Sequence, residues 1–255
     1  MNDEVILKVE KLKKSYEIAD KNNTILKEID LQVKKGEFVA IMGHSGSGKS
    51  TLLYCISGMD KISSGSVKYN NKELEKLSDD EISNLRLMNM GFVFQNSCLL
   101  KDFTILENIM LPCMKAGKTP KADIRKKANN LMKQVQIENI AGSEINQVSG
   151  GQLQRAAICR ALINEPDILF ADEPIGALNS KSTFEIMDIF NQVNNSGTTI
   201  VMVTHDIKVA VRASRIIYLA DGAIKQEFSF TPWKNYQESG DRESILMHCL
   251  QSNGF

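Results

Sequence analysis

A glycine-rich run near residue 45 contains the residue types that bind a phosphate group. It reads Gly43-His-Ser-Gly-Ser-Gly-Lys49-Ser50 and fits the pattern G-x-x-x-x-G-K-[ST]. Glycines let backbone N–H groups approach an anion, the lysine brings an ammonium to the outer phosphates, and the serine hydroxyl is suited to Mg²⁺. A plain glycine-rich turn would not require Lys and Ser at these two positions. The predicted phosphate-binding residues are Gly43, His44, Ser45, Gly46, Ser47, Gly48, Lys49, Ser50 and Thr51, with Ser50 also a metal ligand.

The segments on either side of this run supply the context that such a loop requires. Residues 37–42 are short, apolar and rich in β-forming types, and residues 50–56 predict the first turns of a helix. In a strand–loop–helix unit the positive end of the helix dipole points at the bound anion. The surrounding sequence therefore favours a phosphate loop over an ordinary turn.

Two carboxylates follow a second apolar segment. Residues 167–171 predict a buried strand, and Asp172 and Glu173 come at its end. An aspartate at the carboxyl end of a strand can hold Mg²⁺ beside bound phosphates. Because side chains alternate along a strand, Glu173 points elsewhere and can act as a general base on an attacking water. An acidic turn is the alternative interpretation, and the phosphate loop in the same chain favours the catalytic one.

A second candidate anion site precedes a predicted helix over residues 153–163. The residues Ser149, Gly150, Gly151 and Gln152 place a hydroxyl and two glycines where the helix begins. Backbone N–H groups at a helix start can bind an anion by the same physics as the phosphate loop. Taken alone, this segment is better explained as an ordinary helix N-cap.

Charge and hydropathy restrict the classes of partner. The chain of 255 residues has 31 Lys and Arg against 31 Asp and Glu, so its formal net charge is zero. Without a general basic excess, we expect no nucleic-acid partner. Apolar runs such as residues 200–203 and 216–220 have the length of strands, well below the roughly 18 residues that span a bilayer. A function at a membrane would therefore require another chain to span it.

Predicted strands alternate with predicted helices along most of the chain. This alternation indicates an α/β fold with a mainly parallel sheet. Residues 96–161 differ, because their patterns at 106–114 and 124–135 are helical, and Pro112 is expected to kink or end the first of these helices. We predict one domain over residues 1–222, with a helical subdomain at about 96–161. A C-terminal extension follows over 223–255, where the pattern weakens apart from a short helix at 243–250.

Together these motifs resemble those of the ABC-type ATPases. The phosphate loop, Gln95, the Ser149–Gln152 segment, the Asp172-Glu173 pair and His205 occur in the family's order and approximate spacing. The match covers roughly residues 5 to 222. The resemblance implies a P-loop ATPase with a mainly parallel sheet core, an antiparallel β subdomain and an inserted helical subdomain, acting on ATP with Mg²⁺.

The resemblance also implies roles for single residues. Tyr16 would stack on adenine, Gln95 would contact Mg²⁺ and sense the transport partner, and His205 would steady the γ-phosphate. Without it, Tyr16 and His205 would be interpreted as packing residues. The nucleotide would lie between two protomers, with the phosphate loop of one facing the Ser149–Gln152 segment of the other. Asn179 stands where the family usually has Asp, in a loop that crosses this interface.

Several segments resemble the MacB, LolD and FtsE branch of the family in particular. These segments are residues 42–49, 91–95, 108–112 and 171–178. Residues 240–246 extend past the usual end of the lipoprotein-release members and resemble the bacitracin-resistance, or BceA-like, ATPases. This implies a subunit on the cytoplasmic face of the membrane that powers a separate permease of the MacB, FtsX or BceB type in antimicrobial-peptide export or resistance. Lipoprotein release, MacB-like efflux and FtsE-like control of cell division are the alternatives.

Overall fold

The computed structural model describes residues 4–18, 21–176, 180–234 and 239–251. The chain divides into two compact units, one formed by Met1–Ile82 with Asn194–Phe255 and the other by Ser83–Val193. In chain order, the strands are β1 (Val5–Ile18), β2 (Lys21–Lys34), β3 (Phe38–Met42), β4 (Ser64–Tyr69), β5 (Lys72–Glu73), β6 (Met90–Phe94), β7 (Ile168–Asp172), β8 (Thr199–Val203), β9 (Arg215–Ala220) and β10 (Ala223–Ser229). The α-helices are α1 (Lys49–Ile56), α2 (Asp79–Asn89), α3 (Ile105–Ala116), α4 (Lys121–Gln134), α5 (Gly150–Leu162), α6 (Ser180–Asn195), α7 (Ile207–Ala210) and α8 (Ser239–Gln251).

The first unit contains an antiparallel sheet and a largely parallel set of strands. The antiparallel sheet has the order β2–β1–β4–β5. In the other set, β3 pairs in parallel with both β8 and β9, and β10 pairs antiparallel with β9. Every residue of β3 and β8 is buried. This burial agrees with their continuous apolar sequences, which are typical of parallel strands covered on both faces.

The second unit combines a parallel pair of strands with packed helices. Strands β6 and β7 run parallel, and α3, α4 and α5 pack on one another. Helix α3 begins with a capping box in which Thr104 and Glu107 each hold the other's backbone N–H. Helix α4 buries Ile124, Ala128 and Met132 at the i, i+4 spacing of a single helix face. The predicted mainly parallel α/β fold with an antiparallel sheet and a helical region is thus confirmed.

Two local predictions need correction. Pro112 does not end α3, which continues to Ala116 with Ile109 and Cys113 on its buried face, and the kink stays a prediction. The residues directly after Gly222, where the sequence pattern weakens, form the regular strand β10. That strand escapes the apolar pattern because its outward residues are polar. Helix α7 begins at Ile207 and is a single turn that ends at Ala210.

The C-terminal helix packs within the first unit. Leu246 and Leu250 of α8 are buried, as is Arg242. The predicted boundary at residue 222 stays a prediction. Among the described residues, no helix is both long and apolar enough to cross a membrane.

Candidate functional site

The glycine-rich run forms the loop between β3 and α1, as its sequence predicts. Gly48 is the N-cap of α1 with φ of 101°, a left-handed conformation that favours glycine. Gly43 has no room for a side chain, because an added Cβ would lie 2.1 Å from the carbonyl oxygen of Leu219. The first turn of α1 has no acidic residue, so no side-chain charge there cancels the positive end of the helix dipole.

Lys49 and Ser47 show that this loop fits a phosphate group. The Lys49 ammonium donates hydrogen bonds to the carbonyl oxygens of Gly43 and His44, both at 2.9 Å, and the residue is only 6% exposed. Within the described part of the chain, the buried hydroxyl of Ser47 has no hydrogen-bond partner. A fixed buried cation and an unsatisfied buried hydroxyl are features that an anionic oxygen would complete.

His205 emerges at the same sheet edge as the loop. In the parallel pair, Ile41 of β3 is the register partner of Val203 of β8, so the chain reaches Gly43 and His205 two residues further on. The Thr204 N–H donates to the Ile41 carbonyl at 3.1 Å, and the Asp206 N–H donates to Thr204 Oγ1 at 3.0 Å. These bonds hold the backbone on both sides of His205, whose side chain is exposed.

Tyr16 lies near the end of β1. Its hydroxyl donates a hydrogen bond to Asp60 Oδ2 at 2.5 Å. Burial and then this contact raise the pKa of Tyr16 to about 12. Tyr16 therefore keeps its proton at physiological pH, and the residue is 38% exposed.

The second unit brings Gln95, Asp172 and Glu173 to one sheet edge. Phe94, the last residue of β6, is the register partner of Asp172, the last residue of β7, so Gln95 and Glu173 follow side by side. Glu173 has φ of 45°, which is uncommon for a residue other than glycine. The Gly176 N–H donates to the Glu173 carbonyl at 3.1 Å and closes the turn. Strained backbone held in this way is often found where a side chain has a chemical task.

The Ser149–Gln152 segment forms the start of α5. Ser149 Oγ accepts from the Gln152 N–H at 3.4 Å, and Gln152 Oε1 accepts from the Ser149 N–H at 2.9 Å. The N-cap interpretation is therefore correct for the isolated chain. Ser149 and Gly150 are nevertheless exposed, so the helix start remains accessible to a second molecule.

Each unit thus collects its own share of the predicted site residues. The first holds Tyr16, the 43–51 loop and His205, and the second holds Gln95, the Ser149–Gln152 segment, Asp172 and Glu173. Asn179 lies outside the described residues. Sequence patterns gave no signal for Lys14 and Asp60, which surround Tyr16. Their contacts join positions 44 and 46 residues apart.

The loop between a buried parallel strand and a helix defines a P-loop nucleotide-binding protein. A family model described as "ABC transporter" matches residues 26–176. The bacitracin export ATP-binding protein BceA of Halalkalibacterium halodurans is 44% identical over 220 residues, which cover 86% of this chain and 87% of that protein. The lipoprotein-releasing system ATP-binding protein LolD of Aquifex aeolicus is 43% identical over 224 residues, which cover 88% and 98%.

A solved relative matches the fold as well as the sequence. It is a dimeric post-hydrolysis state of the ATP-binding cassette MJ0796, from Methanocaldococcus jannaschii, bound to ADP and Pi. It superposes with a TM-score of 0.83 at 42% identity and covers 89% of this chain and 100% of that one. The chain therefore belongs to the ABC transporter family, and it is an ATPase of that family.

Proposed function

We propose that this ATPase powers a separate membrane permease of the BceB, MacB or FtsX type in resistance to antimicrobial peptides of the bacitracin class. The observation that carries ATP hydrolysis is the Asp172-Glu173 pair at the end of a buried strand, beside Gln95 of the neighbouring strand. The peptide class is supported by the similarity to a relative named for bacitracin export. Lipoprotein release is the second candidate, because a relative named for that process is similar to nearly the same degree.

In this proposal the phosphate loop and the carboxylates divide the chemistry. The backbone N–H groups of residues 43–51 and the Lys49 ammonium bind the β- and γ-phosphates. Ser50, Gln95 and Asp172 supply oxygen ligands of the kind that Mg²⁺ prefers, and bound Mg²⁺ would neutralise phosphate charge. Glu173 accepts the proton of the attacking water.

Three further residues orient the nucleotide and the water. His205, next to the phosphate loop, donates to the γ-phosphate. Tyr16 stacks on the adenine ring. Ser149, with the N–H groups at the start of α5, binds the γ-phosphate held by a second protomer, which its exposure permits. The dimeric relative with bound ADP and Pi supports this arrangement of two protomers.

The docking surface for the permease follows from exposure in the segment after Gln95. Most apolar side chains there are buried, namely Leu99, Ile105, Leu106, Ile109 and Met110. Leu100, Phe103 and Met114 remain 45%, 37% and 44% exposed, and we call them the docking patch. A contiguous exposed apolar patch marks an interaction site, and a methionine there adapts to its partner.

A buried asparagine holds the loop that carries Leu100 and Phe103 of this patch. Asn108, which is fully buried, accepts from the Leu100 N–H at 2.7 Å. Its amide donates to the carbonyls of Leu100, Phe103 and Thr104 at 3.0 to 3.1 Å. The two apolar side chains are thus presented by a fixed backbone, as a specific contact requires. The chain itself would sit at the cytoplasmic face of the membrane as a peripheral subunit.

To test this proposal, the chain is expressed together with the permease encoded beside its gene in a bacitracin-sensitive Gram-positive host. We expect the minimal inhibitory concentration of bacitracin to rise severalfold with the active chain and to stay at the host's value with Glu173→Gln. Equal sensitivity with both versions would contradict the peptide-resistance proposal. Rescue of lipoprotein release in a strain depleted of that ATPase would instead favour the second candidate.

A further inference from the structure

The side chains of Tyr16, Asp60 and Lys14 form a cluster. The Tyr16 hydroxyl donates to Asp60 Oδ2 at 2.5 Å, and the Lys14 ammonium donates to Asp60 Oδ1 at 2.6 Å. Lys14 Nζ also donates to the carbonyl oxygen of Lys61 at 2.6 Å and lies over the Tyr16 ring, 4.5 Å from its centroid. One carboxylate therefore fixes both the tip of the ring and the cation on one of its faces.

Burial and charge make this cluster stiffer than a surface ion pair. Lys14 is only 7% exposed, although its ammonium is charged. Burial by itself raises the pKa of Asp60, but the hydrogen bonds from Lys14 and Tyr16 outweigh it and leave this pKa below its usual value. Asp60 is therefore ionised at physiological pH. A charged, partly buried acceptor forms stronger hydrogen bonds than a neutral or fully exposed one.

Asp60 is attached directly to the helix that starts at the phosphate loop. It follows the end of α1, where the N–H groups of Met59 and Asp60 both donate to the carbonyl of Tyr54, at 2.8 and 3.1 Å. The nearby backbone of β1 is held separately, because the Ser63 N–H donates to the Lys13 carbonyl at 2.8 Å. Loss of the Asp60 charge would thus free the Tyr16 ring without detaching the strand.

We propose that Asp60 and Lys14 are positioning residues for the nucleotide base. Asp60 holds the Tyr16 ring at a set distance from the phosphate loop, and Lys14 covers one face, so the base stacks on the other. The proposal rests on the proposed function, in which Tyr16 contacts adenine. A ring that is ordered before binding avoids the entropy cost of ordering it in the complex, so the cluster raises affinity for the base without touching it.

The test compares two ligands that share the phosphates but differ in the base. Affinities of the full chain for ATP and for inorganic tripolyphosphate are measured for wild type and for Asp60→Asn. The asparagine side chain offers no charged oxygen to the two donors, the Lys14 ammonium and the Tyr16 hydroxyl. We expect a loss of up to about tenfold for ATP, the entropy cost of ordering one side chain, and no change for tripolyphosphate. Asp79→Asn is the matched control, because Asp79 forms a fully solvated ion pair with Lys61.

The possible outcomes of this test are distinguishable. An equal loss for both ligands, or no loss for either, would overturn the positioning role of Asp60. If Asp60→Asn does not fold, Tyr16→Phe decides, because it keeps the ring and the Lys14–Asp60 pair but removes the hydroxyl. Unchanged ATP affinity in Tyr16→Phe would then overturn the proposal. Failure of the folded wild type to bind ATP would instead contradict the proposed function.

Discussion

The Gln95 side chain lies directly against the backbone of Gly176. A Cβ added to Gly176 would come within 2.8 Å of Gln95 Nε2. Gly176 closes the turn that begins at Glu173, so the amide proposed to bind Mg²⁺ rests on the same turn as the proposed general base. Displacement of Gln95 would therefore displace the turn that contains Glu173, and displacement of the turn would displace Gln95.

This contact makes Gly176→Ala informative. The added methyl meets the far end of a flexible side chain, so we expect the fold to be kept while the Gln95 amide is displaced. Misplacement of a group by about 1 Å can lower turnover by as much as roughly 100-fold, so we expect Gly176→Ala to lose turnover with unchanged ATP affinity. The control is Gly142→Ala, because nothing lies within 4 Å of a Cβ at Gly142. Full turnover in both variants would show that the contact has no influence on hydrolysis.

Glu173→Gln is expected to stop hydrolysis while nucleotide binding persists. The substitution removes the base but keeps the size and shape of the side chain, and loss of a general base costs roughly 10²- to 10⁴-fold. Steady-state hydrolysis and ATP affinity are measured on the same preparation. Glu165→Gln is a matched control, because Glu165 also has a positive φ of 53° but pairs with Lys127 through an exposed side chain. Near-normal hydrolysis by Glu173→Gln would move the base elsewhere, with His205 the next candidate.

The sequence predicted the parts of the site that depend on local pattern. The 43–50 loop could be placed because a loop, a strand and a helix are consecutive there, and the strand ending at Asp172 could be placed by its apolar run. Parallel register then brings strand ends to one edge, which explains why the chain reaches Gly43 and His205 at the same edge of β3 and β8.

The parts that escaped prediction depend on tertiary contacts. Asp60 is hydrogen-bonded to Tyr16, 44 residues away in the sequence, and hydrophobic periodicity cannot predict such a contact. In the 99–114 segment, hydropathy does not determine which apolar residues are exposed. Packing of α3 on α4 and α5 and the hydrogen bonds of buried Asn108 determine it. Strand β10 was missed because an edge strand exposes polar side chains on one face, and that face removes the apolar signal.

The docking patch predicts a variant that separates binding from hydrolysis. We expect Leu100→Glu with Phe103→Glu to abolish co-purification with the permease, because two charges would have to be desolvated in the contact. Basal ATPase activity should stay within about twofold, since surface substitutions change stability little. Met247→Glu is the control, because Met247 is 46% exposed on α8. A persistent complex together with lost ATPase activity would show that the two side chains serve the fold instead.

Arg242 is predicted to anchor the C-terminal helix to the first unit. It is 5% exposed, donates to the carbonyls of Val211 and Thr231 at 3.2 and 2.8 Å, and lies over the ring of Trp233. Arg242→Leu leaves those acceptors unsatisfied, which should lower the free energy of unfolding by about 1–3 kcal/mol in chemical denaturation. Arg125→Leu, on the exposed face of α4, should change it by less than about 0.5 kcal/mol. Equal effects would show that the Arg242 contacts contribute nothing.

Shared sites between two protomers predict rescue when two inactive chains are mixed. Lys49→Ala damages only the phosphate loop, and Ser149→Arg damages only the segment that would face the partner's loop, so each homodimer has two defective sites. A mixed dimer keeps one composite site with an intact Lys49 and an intact Ser149. With random pairing, half of the dimers are mixed and each mixed dimer has one intact site out of two, so ATPase activity should recover to at most about one quarter of wild type.

The comparison is with each variant alone at the same total concentration, after a melting curve confirms that Ser149→Arg has folded despite its lost N-cap. Activity that stays at the level of the separate variants at every mixing ratio would mean that each chain works with its own Ser149 or without it.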